Sequence, residues 1–206
     1  MPSTPATDPV RVRGAILAGG AARRFGGRPK GLELVGGVRI LDRIVGALEE
    51  ATGLPPILVA NDPGAARWRP GLRVVPDRIA EAGTLGGLHA AVVEAPAPVL
   101  CVAWDMPFVP AGLLARLARG LAQADAVLPA SGGRRGMEPL CAAYGPAVRG
   151  PIEAAIARGD FRAIAFHDQV RVDILSEDEV RSFGPPGRLF FNVNTVDDLR
   201  TANAEL

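Results

Sequence analysis

Short apolar runs, each continuous rather than alternating, constrain this chain more tightly than any other feature. Residues 12–17, 57–60, 73–75, 99–103, 126–128 and 140–144 read as strands of this kind. Most are separated by segments with helical spacing. In residues 41–51 the apolar positions fall at 41, 44, 45 and 48, and the pattern stops at Thr52-Gly53. Residues 86–94, 111–122, 146–158 and 195–202 read as further helices. A strand without polar alternation must be buried on both faces. The expectation is therefore an α/β fold, a single doubly wound and mostly parallel sheet with helices on either side. Residues 32–40, split by Gly36-Gly37, read as a short hairpin. The Pro- and Thr-rich residues 1–10 read as a disordered lead, and residues 11–206 as one domain.

Sheets of this type bind ligands beyond the carboxyl ends of their strands. The residues that follow the runs are Gly19 and Gly20, Asn61, Asp77 and Asp105. The first of these exits is the richest. From Leu17 to Lys30 the chain passes Gly19, Gly20, Gly26 and Gly27, and it carries Arg23, Arg24, Arg28 and Lys30 within eight residues. Glycines let backbone N–H groups approach phosphate oxygens, and the cations supply the charge that a triphosphate needs. Lys30 is followed by Gly31 rather than Ser or Thr, and no G-x-x-x-x-G-K precedes it, so this is not a P-loop. Nor does a G-x-G-x-x-G open a helix here. The plain alternative is a Gly-rich surface loop with solvated arginines.

Composition sharpens that loop. Lys30 is the one lysine among 23 basic residues. Arg presents a wide planar fork, whereas Lys presents a compact point charge on a flexible stem, which suits a site among phosphate oxygens. The net charge of +1 gives no basic excess of the kind a nucleic-acid binder shows. No apolar stretch reaches the roughly 18 residues of a membrane span, and the apolar part of residues 14–22 is too short for a secretion signal. Cys101 and Cys141 lie in apolar surroundings without C-x-x-C spacing, as buried free thiols would. The expectation is a cytoplasmic protein.

Asp105 follows the run 99–103, and a carboxylate there can hold a Mg²⁺ that bridges phosphate oxygens. It is also a residue type common in turns and helix caps. Trp104 reads as packing rather than substrate stacking. Residues 83–87 form either a flexible loop ahead of a helix N-terminus or a helix entry needing close packing. Thr195 and Asp198 have capping-box spacing. Arg134-Arg135 suits an acidic second substrate or a solvated loop equally. His89 and His167 read as structural, since no acid or nucleophile stands at a telling spacing.

The spacing L-A-G-G-x-x-x-R-x-G-x-x-x-K, carried here by Leu17, Ala18, Gly19, Gly20, Arg24, Gly26 and Lys30, resembles the signature of the nucleotidyltransferases that include molybdenum cofactor guanylyltransferases. The stretches from Gly83, from Val102 through Asp105, from Glu138 and from Phe191 to Thr195 resemble that family's later motifs, so the likeness runs from about Val12 to Ala202. Phe25, Ala22 and Pro29 depart from the usual Met, Ser and Asp. The resemblance implies a Rossmann-like nucleotidyltransferase architecture. It also implies transfer of GMP from GTP to a molybdopterin-type cofactor with release of pyrophosphate. Lys30, Asp105 and Arg24 would then be catalytic. Leu17, Ala18, Gly19, Gly20, Asn61 and Asp77 would line the nucleotide pocket with Lys30 and Asp105. Asp105 would hold Mg²⁺, and Asn192 and Asn194 would lie on the pterin side. Molybdenum-insertion proteins and molybdoenzyme chaperones are the implied protein partners. The alternatives are a cytidylyltransferase for the same pterin, another small-phosphate nucleotidyltransferase, or a nucleotide-binding module without catalysis. Leu17-Ala18-Gly19-Gly20 leans to the guanylyl branch, because cytidylyl relatives more often carry L-A-A-G.

Overall fold

A computed structural model describes residues 11–19, 29–95, 97–132 and 136–206. The expected lead, the middle of the Gly-rich loop with Gly20 and Arg24, and Arg134-Arg135 all lie outside the described residues.

The apolar runs form β1 (Arg13–Leu17), β4 (Ile57–Val59), β5 (Arg73–Val75), β6 (Val99–Ala103), β7 (Ala126–Pro129) and β8 (Cys141–Tyr144). Residues 32–40 supply the expected hairpin, β2 (Leu34–Val35) with β3 (Val38–Arg39). Gly36 and Gly37 turn it at φ 58° and 75°, a region open mainly to glycine. One strand absent from the sequence reading, β9 (Val172–Leu175), closes the far edge of the main sheet. Its order is β5-β4-β1-β6-β8-β7-β9. All pairings are parallel except those of β8, which runs antiparallel to both β6 and β7. Among the described residues no helix lies between β7 and β8, and a connection without a crossover element brings the chain back antiparallel.

The helices are α1 (Ile40–Thr52), α2 (Gly83–Glu94), α3 (Ala111–Gly120), α4 (Arg149–Ala157), α5 (Glu177–Arg181), α6 (Pro186–Leu189) and α7 (Val196–Ala204). Two cores result, one on each face. Ile16, Leu58, Leu100 and Val102 pack with Leu41, Ile44 and Leu48 of α1 and with Leu113 and Leu117 of α3. Their sequence neighbours Ala15, Leu17, Ile57, Val59 and Cys101 point the other way, onto Leu85 and Leu88 of α2 and Ile152 of α4. This explains why β1, β4 and β6 lack alternation: every position after Arg13 faces a core, at about 1.5–3 kcal/mol for each large aliphatic side chain buried. Cys141 and Cys101 belong to opposite cores and are unpaired, and burial pushes both thiols up from their ordinary range.

The helices differ from expectation in three respects. Helix α2 begins at Gly83, so residues 83–87 are its first turn and not a loop ahead of it. Glycine is a poor helix former, yet Gly83 enters at φ 54°, and a Cβ on Gly86 would lie 3.0 Å from that of Ala82. Gly83 thus serves the left-handed entry and Gly86 the close approach to Ala82. Residues 146–148 form a separate 3₁₀ turn before α4. The short α5 and α6 were not legible as periodic segments. Helix α7 carries the expected capping box: Thr195 Oγ1 accepts from Asp198 N at 3.1 Å, and Thr195 N donates to Asp198 Oδ2 at 2.8 Å. Among the described residues no helix is long and apolar enough to cross a membrane.

Two outcomes test these assignments. Thr195→Ala removes one arm of the capping box, and urea unfolding should register a loss of about 1 kcal/mol. His167 packs edge-on against Phe166, and burial lowers its pKa from the ordinary imidazole value. The native state thus favours the neutral ring. Its contribution is complete above pH ~6.5 and is eroded as pH falls from there towards the native-state pKa. Thermal midpoints measured across that range should fall less steeply for His167→Phe than for the parent protein.

Candidate active site

The sheet order places the exits of β5, β4, β1 and β6 side by side at one end. In register, Leu17 of β1 pairs with both Val59 of β4 and Ala103 of β6, and Val59 pairs with Val75 of β5. The backbone continues this alignment past the strands. Ala18 N donates to Val59 O at 2.9 Å, Ala60 N to Val75 O at 2.9 Å, and Trp104 N to Leu17 O at 3.3 Å. A cleft of about 430 Å³ opens at this end. Leu17, Ala18, Gly19, Asn61, Asp77 and Asp105 all line it. The structure therefore gathers these predicted residues, which the chain scatters from position 17 to 105.

Lys30 joins them from outside the strands. It opens the 3₁₀ turn Lys30–Leu32, and its ammonium donates to Asp105 Oδ2 and, at 2.9 Å, to Asn194 Oδ1. Asn194 is placed by two contacts. Its backbone N–H donates to Asp198 Oδ2 at 2.9 Å, and the neighbouring Val193 N donates to Asp105 O at 2.9 Å. Asn192 does not join the group: its amide donates to Phe190 O at 2.9 Å, which holds it within its own turn.

Asp105 is only 8% exposed, and a buried carboxylate must be paired or bear a large desolvation cost. Lys30 pairs one oxygen. The other, Oδ1, is buried and has no hydrogen-bond partner among the described residues. Asn61 and Asp77 bind each other reciprocally. Asn61 Nδ2 donates to Asp77 Oδ2 at 2.8 Å, and Asp77 N donates to Asn61 Oδ1 at 2.8 Å. Trp104 packs as expected, stacked on Trp68 with centroids 5.1 Å apart, and it also borders the cleft.

Gly83 and Thr84, from the stretch singled out in the sequence, border the cleft too, as does Glu81, which had no sequence signal. Glu81 adopts φ 61°, the only positive value at a non-glycine among the described residues, and such backbone strain collects at functional sites. The two histidines stay outside the cleft: His89 Nε2 meets Glu153 Oε1 at 3.2 Å, and His167 lies against Phe166.

The reciprocal Asn61–Asp77 pair is directly testable. A double-mutant cycle with Asn61→Ala and Asp77→Ala, read by urea unfolding, should return a coupling of about 1 kcal/mol.

Comparison with known proteins adds to this geometry. A family profile for the MobA-like NTP transferase domain matches residues 14–172. A probable molybdenum cofactor guanylyltransferase of Pelotomaculum thermopropionicum is 36% identical over 191 residues, 92% of this chain and 91% of that protein. A molybdenum cofactor guanylyltransferase of Desulfosudis oleivorans is 31% identical over 95% of this chain and 96% of its own. Among solved structures, molybdopterin-guanine dinucleotide biosynthesis protein A of Archaeoglobus fulgidus superposes with a TM-score of 0.78 at 27% identity, covering 94% of this chain and 98% of that one.

Proposed function

The chain belongs to the MobA-like NTP transferase family, and we propose that it transfers GMP from GTP to a molybdopterin-type cofactor and releases pyrophosphate. Its relatives, matched over nearly their whole length, carry guanylyltransferase names. The observation that carries the assignment is the convergence of Lys30, Asp105 and Asn194 beside a cleft at the carboxyl ends of β1 and β6.

In this reaction an oxygen of the molybdopterin phosphate attacks the α-phosphorus of GTP. A new P–O bond forms as the bond from Pα to the bridging oxygen of the β-phosphate breaks, and pyrophosphate leaves. The attacking oxygen is ionised at neutral pH, so no general base is needed. Catalysis rests on positioning and on neutralising charge. Leu17, Ala18 and Gly19 offer backbone to the cleft, and no described residue stands where a Cβ on Gly19 would point. Gly20 and Arg24 extend this cradle in our assignment. Lys30 sets a point charge among the phosphate oxygens. Asn61 and Asp77, held by each other, hydrogen-bond the nucleoside. Asn194 faces the pterin, while the Asn192 amide is turned into its own backbone.

The residues fit a divalent cation, Mg²⁺ in our assignment. Asp105 Oδ1 is a buried hard oxygen with no partner among the described residues. The described residues contain no cluster of three or more His, Cys, Asp or Glu able to hold a metal. One carboxylate suits an ion that takes its other oxygens from phosphates and water. When bound, such an ion withdraws charge from the phosphate oxygens.

Asp105→Ala should lower pyrophosphate release at least about 10²-fold while leaving the circular dichroism spectrum unchanged. Metal-dependent turnover that persists in this variant would overturn the role of Asp105. A panel of GTP, CTP, ATP and UTP with Mg²⁺ and molybdopterin should yield pyrophosphate with GTP. Turnover with CTP alone would refute the guanylyl assignment.

A further inference from the structure

Trp104 precedes Asp105 and packs against the turn that carries Lys30. The backbone of Gly31 approaches its indole so closely that a Cβ at position 31 would meet Cε3 at 2.5 Å, and Cδ2 and Cζ3 at 3.2 Å. The ring is backed by the core as well as bordering the cleft. It is 3% exposed, stacks on Trp68 at an interplanar angle of 23°, and shares the α1–α3 core with Ile40, Leu41 and Met106. Interiors packed to this density transmit a displacement rather than absorb it.

The turn on the other side of the contact is short and closed. Leu32 N donates to Pro29 O at 3.0 Å, and Glu33 N donates to Lys30 O at 3.1 Å. A shift of Gly31 is therefore passed to Lys30. The long lysine stem has many rotamers, so its ammonium reaches a fixed point only if its Cα is fixed first.

We infer that Trp104 is a positioning residue. Its indole is the stop on which Gly31 rests, and this contact sets how Lys30 meets Asp105 and Asn194. The inference rests on the reading that Lys30 serves the nucleotide phosphates. A side chain at position 31 must open the contact by roughly 1 Å to reach ordinary van der Waals distance, and a misplacement of that size can cost about 10²-fold in rate.

Lys30 is the chain's single lysine, so an amine reagent reports on it without reference to turnover. The experiment compares the parent protein with Gly31→Ala, Trp104→Leu, the double variant and Trp104→Phe. It measures trinitrophenylation of Lys30 by trinitrobenzenesulfonate, read by mass spectrometry of the Lys30 peptide, together with kcat and KM for GTP. Gly31→Ala should label several-fold faster and lose about 10²-fold in kcat, with a smaller change in KM. In the double variant the smaller leucine leaves room for the new methyl. That protein should label more slowly and turn over faster than either single variant. A merely structural role for the contact would make the two losses add.

Trp104→Phe keeps an aromatic ring in the core and serves if Gly31→Ala does not fold. It too should speed labelling, and unchanged labelling in Trp104→Phe overturns the inference. So does a Gly31→Ala protein with the parent's labelling rate, or a double variant no better than Gly31→Ala. Because labelling needs no substrate, the two readings fail separately. A parent protein inactive with GTP whose variants still expose Lys30 would refute the guanylyl assignment alone.

Discussion

The ion pair between Lys30 and Asp105 spans 75 positions of sequence and exists because β1 and β6 are neighbours in the sheet. Parallel pairing with Leu17 opposite Ala103 sends both strands out at the same end. The chain leaving β6 reaches Asp105 two residues later, and the chain leaving β1 returns through Pro29 to bring Lys30 against it. The last part of the fold then fastens to the same point, through the bond from Val193 N to Asp105 O and through Asn194 to the ammonium. Three distant segments thus meet at Asp105, whose carboxylate pairs with Lys30 and whose backbone carbonyl accepts from Val193. A charge so far removed from water is tolerable only because it is paired on one side.

The two-sided burial of the sheet supports that arrangement. Strands β1, β4 and β6 contribute alternate residues to the α1–α3 core and to the α2–α4 core, so neither face can slip without exposing apolar surface. The strand ends are held rigidly, and polar groups placed one or two residues beyond them inherit that precision. Asn61 and Asp77 illustrate the result: they leave neighbouring parallel strands and meet through two hydrogen bonds. The Trp68–Trp104 stack extends the α1–α3 core up to the cleft, so packing and chemistry meet at Asp105.

Much of this was legible before the fold was known. Continuous apolar runs revealed strands buried on both faces, and the residues following them revealed most of the cleft. The lone lysine marked the residue that meets Asp105 across the cleft. Other features were hidden for physical reasons. The antiparallel direction of β8 leaves no trace in Cys141-Ala142-Ala143-Tyr144, because a fully buried strand looks the same in either direction. Residues 83–87 read equally as a loop or as a helix entry, because the low helix propensity of glycine leaves both open, and only the fold makes them the first turn of α2. Asn192 and Asn194 looked equivalent, yet one turns into its own backbone and the other meets Lys30.

By itself, then, the sequence determined the α/β class, the strand ends that carry polar groups, and the single lysine that the fold brings to them. Local periodicity and residue chemistry suffice for these. The tertiary structure alone decided that Asp105 and Asn194 are the partners of Lys30, that Gly31 must lie on the Trp104 indole, and that Glu81 borders the cleft on strained backbone. Contacts between segments so far apart in the chain are set by strand order and register, which no local pattern encodes.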